Sequence, residues 1–307
     1  MQIFRAEFTA MACRNEVVVA AENEAQAQPA MNAAAQEVLR IEAKYSRYRP
    51  ESVVSQLNAA AGNAPLACDE ETGWLLDFAA ALYNESDGLF DITAGLLRRA
   101  WDFSKAILPD QAQLDALLPL VGFPKLERDG LQVRLPQTGM EIDFGGFGKE
   151  YAADRAAMQL QQHGMAHGYV NLGGDLRALG PQPDGTPWQV GIVDPRAPGN
   201  LIAQVPVSQG GLATSGDYEK FFDLDGRRYC HLLNPQTGWP VAYWRSVSVL
   251  APNCLAAGAY ATATMLKEST GLDLLRAAKL RWLAIGPDGE ILRDEPETST
   301  QSRDLHP

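Results

Sequence analysis

The chain has 307 residues, of which 46% are hydrophobic and 21% are charged, a composition typical of a globular protein with a large core. Its formal net charge of -12, from 26 basic and 38 acidic residues, disfavours binding to bare nucleic acid or to an anionic membrane surface. The four cysteines have no C-x-x-C spacing and the sequence has no H-E-x-x-H pair, which argues against a structural zinc site, a disulfide framework and a zincin.

The first residues do not resemble a targeting segment. Arg5 and Glu7 interrupt the N-terminal stretch, which has no apolar core of the kind that a signal peptide needs. The longest apolar stretch, at 254–266, is too short to cross a bilayer. We therefore expect a cytoplasmic protein without membrane insertion.

Hydrophobic periodicity predicts helices early in the chain and strands late. Two strands are expected within 3–21, and helices at 24–46, 69–88, 110–120 and 150–164. Five strand-like segments follow: GYVNLGG, PWQVGIVD, IAQVPVS, RRYCHLLN and RSVSVLA. Helices at 253–267 and 270–279 precede a last strand at RWLAIGP, and the polar residues 293–307 are expected to be a disordered tail. The pattern predicts an α+β fold with a mainly antiparallel sheet, and the chain length allows one or two domains.

Six segments between these elements combine Gly, Ser, Thr, Asn or Asp with an apolar anchor. They are YSRYRPESVVSQLN (45–58), GLFDITAGLL (88–97), DFGGFGKEYAADRAA (143–157), VNLGGDLRALG (170–180), GLATSGDYEKFF (211–222) and HLLNPQTGWPV (231–241). Any one of them could be a hairpin or a helix cap, but six in one chain favour loops that present groups to a ligand.

The segment at 143–157 indicates what kind of ligand. Two adjacent glycines at a strand-to-helix junction let the backbone approach another group closely, often a phosphate. A protein of net charge -12 can hold an anion only with local groups such as backbone amides, a lysine or a metal. Lys149 follows three residues after the second of these glycines.

In this order and at these spacings, the six segments resemble the ApbE family of FAD-dependent FMN transferases, over roughly residues 10–290. The resemblance implies a single domain over 1–292 that consists of two related, intertwined, T-fold-like subdomains. These subdomains have mainly antiparallel sheet with helices packed on it, and FAD lies in a deep cleft between them. It also implies Mg²⁺-dependent transfer of the FMN moiety of FAD onto a threonine hydroxyl of an acceptor flavoprotein, with release of AMP.

The resemblance further implies which residues contact FAD. They are Met11, Ser46, Arg47, Tyr48, Phe90, Asp91, Thr93, Gly145, Gly146, Lys149, Asn171, Gly173, Gly174, Asp175, Thr214, Ser215, Gly216, Asp217 and His231. The backbone amides of the four glycines at 145, 146, 173 and 174 could cradle the diphosphate oxygens while Lys149 neutralises charge. His231 is the candidate that takes the proton from the attacking hydroxyl, because histidine titrates near neutral pH.

The metal site departs from the family pattern. The resemblance implies an aspartate and a threonine from a D-A-x-A-T stretch, with a backbone carbonyl from the turn that holds the lysine. Here the stretch reads GAYAT, so Gly258 replaces the aspartate while Thr262 remains, and Glu150 stands where the family commonly has glycine. We predict Glu150, Thr262 and the carbonyl of Gly148 as the metal ligands. The alternative for Glu150 is a solvated first-turn residue favoured by the helix dipole.

Two other functions stay open at this point. Loss of the carboxylate at Gly258 permits an FAD-binding protein without transferase activity, and an FAD pyrophosphatase would need no acceptor. A Rossmann-type oxidoreductase is disfavoured, because no G-x-G-x-x-G follows an N-terminal strand with an acidic residue about 20 positions later.

Overall fold

The computed structural model describes residues 1–197 and 199–294. The helices are α1 (Glu24–Tyr45), α2 (Val53–Ala59), α3 (Glu70–Glu85), α4 (Gln111–Leu117), α5 (Gly148–Gln162), α6 (Cys254–Leu266) and α7 (Gly271–Ala277). The strands are β1 (Gln2–Ala10), β2 (Cys13–Ala21), β3 (Leu66–Ala67), β4 (Glu127–Asp129), β5 (Gln132–Arg134), β6 (Gly168–Leu172), β7 (Asp175–Gly180), β8 (Trp188–Val193), β9 (Leu201–Val207), β10 (Gly210–Gly216), β11 (Phe221–Leu224), β12 (Arg227–Cys230), β13 (Ser246–Ala251), β14 (Arg281–Ile285) and β15 (Ile291–Arg293).

One antiparallel sheet of eight strands organises the fold, in the order β1-β2-β6-β7-β10-β13-β14-β15. Each half has two strands, then helices, then two more strands: β1 and β2 precede α1 and are joined by β6 and β7, while β10 and β13 precede α6 and α7 and are joined by β14 and β15. The predicted α+β class with a mainly antiparallel sheet is confirmed. The sheet runs without a break from one half to the other through the β7–β10 pair.

The helices cover one face of the sheet because their apolar positions recur at helical spacing. In α1 the fully buried Ala27, Ala34, Val38 and Ile41 lie on one stripe. The helix begins at Asn23, whose side chain accepts a hydrogen bond from the amide of Gln26 at 3.0 Å. On the opposite face, the β8–β9 ribbon covers apolar residues of β2, β7 and β10, where Trp188 packs with Leu176 and Leu212.

The structure corrects the predicted elements in two places. The segment GLATSGDYEKFF is predicted as a loop, but its first residues belong to β10 in the middle of the sheet. Its small Gly, Ala, Thr and Ser side chains give no apolar alternation by which the strand could be recognised. Arg293, expected in the tail, pairs with Leu283 in the last strand, and residues 295–307 of the predicted tail lie outside the described residues.

Within the described residues, no helix combines the length and the hydrophobicity that crossing a bilayer requires.

Charged side chains link three helices of the first half. Glu71 of α3 accepts hydrogen bonds from Arg40 of α1 at 2.7 Å, from Lys44 of α1 at 2.5 Å and from the hydroxyl of Tyr151 of α5 at 2.7 Å. Burial by itself would raise the pKa of Glu71, but these donors outweigh it and lower the pKa from 4.5 to about 2. The ionised carboxylate therefore stabilises the packing of α1, α3 and α5.

This pKa predicts how stability changes with acid. Because the pKa of Glu71 is depressed in the folded state, its stabilisation is complete above pH 4.5 and is lost as the pH falls towards about 2. We expect Glu71→Gln to lower the free energy of unfolding at neutral pH by about 1–2 kcal/mol, allowing for solvent screening. Urea denaturation across this pH range should show the difference from the unsubstituted protein shrinking in acid. The exposed neighbour Glu70, changed to Gln, is the control, and a difference that does not vary with pH would contradict the assignment.

Candidate functional site

Four segments with predicted site residues meet at one end of the sheet. The start of β2 pairs with the end of β6, Asn15 opposite Leu172, so the β1–β2 and β6–β7 turns lie side by side. The end of β10 joins them, because the amide of Thr214 donates to Oδ1 of Asp175 at 3.2 Å. The N-terminus of α5 completes the group through Lys149, whose Nζ lies 2.6 Å from Oδ2 of Asp175.

The Lys149–Asp175 ion pair fixes a positive charge beside the β6–β7 turn. Burial would lower the pKa of Lys149, but the carboxylates of Asp175 and Glu150 outweigh burial and raise it, so the amine stays charged. Gly173 in the turn has φ +60°, and a Cβ atom there would lie 3.0 Å from Sγ of Cys13 and 3.6 Å from Nζ of Lys149. Only glycine fits this position without strain.

Glu150 is the most unusual titratable group of the site. Its side chain is buried, with 7% exposure, and its Oε2 has no hydrogen-bond partner. Burial raises the pKa of Glu150 to about 8, with a further contribution from Asp175 that Lys149 partly opposes. The alternative of a solvated first-turn residue is therefore wrong for Glu150.

Hydroxyl groups pair across the adjoining elements. Oγ of Ser215 lies 2.7 Å from Oγ1 of Thr262 on α6, and Oγ1 of Thr214 lies 2.8 Å from Oγ of Ser248 on β13. Ser248 is not among the site residues predicted from the sequence. The alternation in RSVSVLA could have indicated it, because period two puts Ser246 and Ser248 on one face of the strand.

The glycine turns are held by side chains that precede them. The amide of Gly145 donates to Oδ1 of Asp143 at 2.9 Å, and the amide of Gly174 donates to Oδ1 of Asn171 at 2.9 Å. The amide of Gly173 donates to the carbonyl of Arg14 at 3.2 Å. This corrects the expectation that all four glycine amides are free for phosphate oxygens. Asp and Asn accept bonds from amides that follow them in tight turns, which shapes these loops before any ligand binds.

The SRY segment lies against the first glycine turn. Arg47 forms an ion pair with Asp143, while its Nη2 donates to the hydroxyl of Tyr48 at 2.8 Å. The Nε of Arg47 is buried without a partner, and the Tyr48 side chain is 74% exposed. Oγ of Ser46 accepts a weak bond from the amide of Tyr48 at 3.3 Å.

The FDIT segment packs beside the same turn, but two of its side chains serve the loop itself. Asp91 accepts bonds from the amides of Thr93 at 2.7 Å and Phe123 at 2.9 Å. The fully buried Thr93 accepts a bond from the amide of Gly122 at 2.7 Å. Phe90 packs on Gly146, where a Cβ atom would lie 3.0 Å from Cζ of the ring.

Met11 and Asp217 each have a partner that the sequence does not reveal. Met11 and Ala12 form the β1–β2 turn with φ of 53° and 60°, and the amide of Met11 donates to Oε1 of Glu42 at 2.6 Å. Asp217 receives a bidentate pair from Arg196, at 2.7 and 2.6 Å. Glu42 and Arg196 lie 31 and 21 residues away from their partners, so no local motif points to them.

His231 lies directly after β12. Its amide donates to the carbonyl of Lys220 at 2.9 Å, and its Nδ1 is buried without a hydrogen-bond partner. Burial lowers the pKa of His231 to about 4, with further contributions from the charges of Lys220 and Lys149. This corrects the expectation that His231 titrates near neutral pH. The ring is neutral there and can accept a proton, but it binds that proton less tightly than an exposed histidine does.

The groups of this site that could bind a cation are mainly carboxylate and hydroxyl oxygens, which are hard ligands. In the part of the chain that the structure describes, no group of three or more His, Cys, Asp and Glu side chains is arranged to hold a metal ion. Mg²⁺ does not require such a group, since it keeps several waters and is usually held by one or two carboxylates together with substrate phosphates. The partnerless oxygen of Glu150 and the hydroxyl of Thr262 fit that chemistry.

Comparison with known proteins places the chain in a family. The sequence model of the ApbE family matches residues 11–284. A protein of Escherichia coli (strain K12) named FAD:protein FMN transferase is 32% identical over 261 residues, covering 81% of this chain and 74% of the relative. A protein of the same name from Treponema pallidum (strain Nichols) is 34% identical over 259 residues, covering 75% of this chain and 72% of the relative.

A solved structure supports the same assignment. The crystal structure of the ApbE protein from Thermotoga maritima superimposes with a TM-score of 0.88 and 29% sequence identity, covering 96% of this chain and 97% of that one. Because the family match and the fold agreement both span most of its length, this chain belongs to the ApbE family.

Proposed function

We propose that this protein is an FAD:protein FMN transferase, which moves the FMN moiety of FAD onto a threonine hydroxyl of an acceptor flavoprotein and releases AMP, with Mg²⁺ as cofactor. The observation that carries the proposal is the match to relatives of that name over more than 70% of their length. The site supports it, because a charged lysine, hydroxyl pairs and glycine turns meet at one end of the sheet.

The proposed FAD site keeps the residues expected from the sequence. FAD would contact Met11, Ser46, Arg47, Tyr48, Phe90, Asp91, Thr93, Gly145, Gly146, Lys149, Asn171, Gly173, Gly174, Asp175, Thr214, Ser215, Gly216, Asp217 and His231. Since Asp91, Thr93 and Asp217 use their side chains on protein partners, we assign them to positioning the loops around the ligand. The ammonium of Lys149 is the cation that would face the diphosphate, with Asp175 orienting it.

The proposed transfer exchanges one phosphorus–oxygen bond for another and requires no oxidant or reductant. The threonine oxygen forms a bond to the phosphorus of the FMN half, and the bond from that phosphorus to the bridging oxygen breaks. AMP leaves with the bridging oxygen and its electron pair, while the hydroxyl proton passes to the neutral ring of His231. Lys149 stabilises the charge on the phosphoryl oxygens, the largest contribution that a protein makes in such transfers.

A divalent metal fits the residues present. Thr262, Glu150 and the carbonyl of Gly148 would hold it, and the buried oxygen of Glu150 without a partner is the observation that supports this. When bound, Mg²⁺ supplies charge neutralisation at the diphosphate.

The proposed phosphate contacts predict that FAD binds more tightly than riboflavin. If Lys149 and the glycine turns hold the diphosphate, the protein should bind FAD at least about tenfold more tightly than riboflavin, equivalent to about 1.4 kcal/mol. Isothermal titration calorimetry of both ligands measures this difference. Equal affinities would contradict the proposed contacts to the phosphates and the adenosine.

The role of His231 as the base that accepts the hydroxyl proton can be tested by substitution. Because His231 is proposed as the base, His231→Ala should lower the transfer rate by about 10²-fold or more while FAD affinity changes little. His163, which is exposed at the end of α5, provides the control variant His163→Ala. A transfer rate that His231→Ala leaves unchanged would remove this residue from the mechanism.

The third prediction separates the proposed activity from its alternatives. Incubation with FAD, Mg²⁺ and an acceptor flavoprotein domain, followed by mass spectrometry, should show the mass of FMN added to the acceptor in equal amount to the AMP released. Free FMN with an unmodified acceptor would indicate a pyrophosphatase, and unchanged FAD would indicate a binding protein without transferase activity.

A further inference from the structure

The side chain of Glu150 lies against Gly258, in the space between α5 and α6. A Cβ atom placed on Gly258 would lie 2.5 Å from Cγ of Glu150, 2.6 Å from its Oε1 and 2.8 Å from its Cδ. Contacts under about 3 Å between such atoms are excluded by their van der Waals radii. The carboxylate of Glu150 therefore fills the space that a side chain at position 258 would need.

The register of the two helices explains the coincidence. Asp154, one turn after Glu150 on α5, accepts hydrogen bonds from the amides of Cys254 and Leu255 at 2.9 and 2.8 Å. Gly258 lies one turn after Cys254 on α6. The helices thus run antiparallel, and successive turns oppose each other: Asp154 faces the start of α6, and Glu150 faces Gly258.

The neighbours of this carboxylate are those of a cation site. Thr262 lies one further turn along α6, on the same face as Gly258, and its hydroxyl lies 2.7 Å from Oγ of Ser215. Lys149, the adjacent cation, is engaged with Asp175 at 2.6 Å and leaves Oε2 of Glu150 without a hydrogen-bond partner. A buried carboxylate oxygen in this state is a costly feature unless something binds it.

We propose that Glu150 supplies, from α5, the carboxylate ligand of a divalent-cation site whose hydroxyl ligand Thr262 lies on α6, and that glycine at position 258 is what makes room for it. The carboxylate that the family resemblance implies at position 258 of α6 would then come from the facing helix α5. The inference rests on the proposed function only for the identity of the phosphate ligand that shares the cation.

A side chain larger than glycine at position 258 and the side chain of Glu150 cannot both fit in this space. A double-mutant cycle can measure this incompatibility. Gly258→Asp alone should lower the thermal unfolding midpoint, because its side chain meets Glu150. Glu150→Ala removes that obstacle, so Gly258→Asp should be tolerated in the Glu150→Ala background. Additive effects of the two substitutions would show that the side chains do not share a volume.

Cation binding is tested with Mn²⁺ as the probe, on the protein saturated with FAD and without any acceptor. Free Mn²⁺ is followed by electron paramagnetic resonance, and FAD affinity is measured separately without metal. We expect Glu150→Gln to weaken Mn²⁺ binding by at least about 10-fold, on the scale typical of changes at metal sites, with metal-free FAD affinity unchanged. The Glu150→Ala, Gly258→Asp double variant should recover most of the Mn²⁺ affinity, because the carboxylate returns to α6.

The control is Glu70→Gln, which changes an exposed first-turn glutamate of α3 and should leave Mn²⁺ binding unaltered. Mn²⁺ binding that survives Glu150→Gln, or that is absent from the unsubstituted protein, would overturn the inference. Loss of Mn²⁺ binding in Glu150→Gln, together with no FMN transfer by the unsubstituted protein to an acceptor domain, would support this cation site while refuting the proposed transferase activity.

Discussion

The contact of Asp154 with the first amides of α6 is the constraint on which the candidate site depends. Its two carboxylate oxygens accept bonds from Cys254 and Leu255, and Arg177 of β7 holds the same carboxylate at 3.3 Å. One partly buried side chain thereby joins α5, α6 and the sheet. Since α5 belongs to the first half of the fold and α6 to the second, the contact fixes how the two halves meet.

The candidate site contains a positive charge, Lys149, although the net charge of the whole chain is negative. A formal net charge of -12 repels an anionic ligand at a distance, so affinity has to come from charges held close by. Lys149 is such a charge, but it lies next to Glu150 and Asp175, which on their own would cancel it. A divalent cation beside Glu150 would reverse that balance, so the lysine and the proposed metal would be complementary parts of one phosphate site.

Much of this arrangement could be predicted from the sequence, and the rest could not for identifiable reasons. The long helix α1 follows from apolar spacing, and the glycines of DFGGFGKE predict the turn from which α5 begins. Strand β10 is hidden because Gly, Ala, Thr and Ser carry no alternation. The pairs Met11–Glu42 and Asp217–Arg196 are set by tertiary packing across long stretches of chain, where no local pattern exists.

Some of the buried polar atoms without hydrogen-bond partners lie in the candidate site that the sequence motifs predict. In the described residues, seven buried side-chain atoms lack hydrogen-bond partners: Arg47 Nε, Glu141 Oε2, Glu150 Oε2, Arg228 Nη1, His231 Nδ1, Ser246 Oγ and Thr264 Oγ1. Three of them belong to residues that the sequence assigns to FAD, metal or proton transfer, and Arg228 lies 3.7 Å from Asp217, a fourth such residue. The β1–β2 turn adds local strain, since Met11 and Ala12 both have positive φ, at about 1–2 kcal/mol per residue. Buried polar atoms without partners are uncommon in folded proteins, and those of Arg47, Glu150 and His231 lie in the segments proposed to hold FAD and its cation, whereas the other four belong to residues without a proposed role.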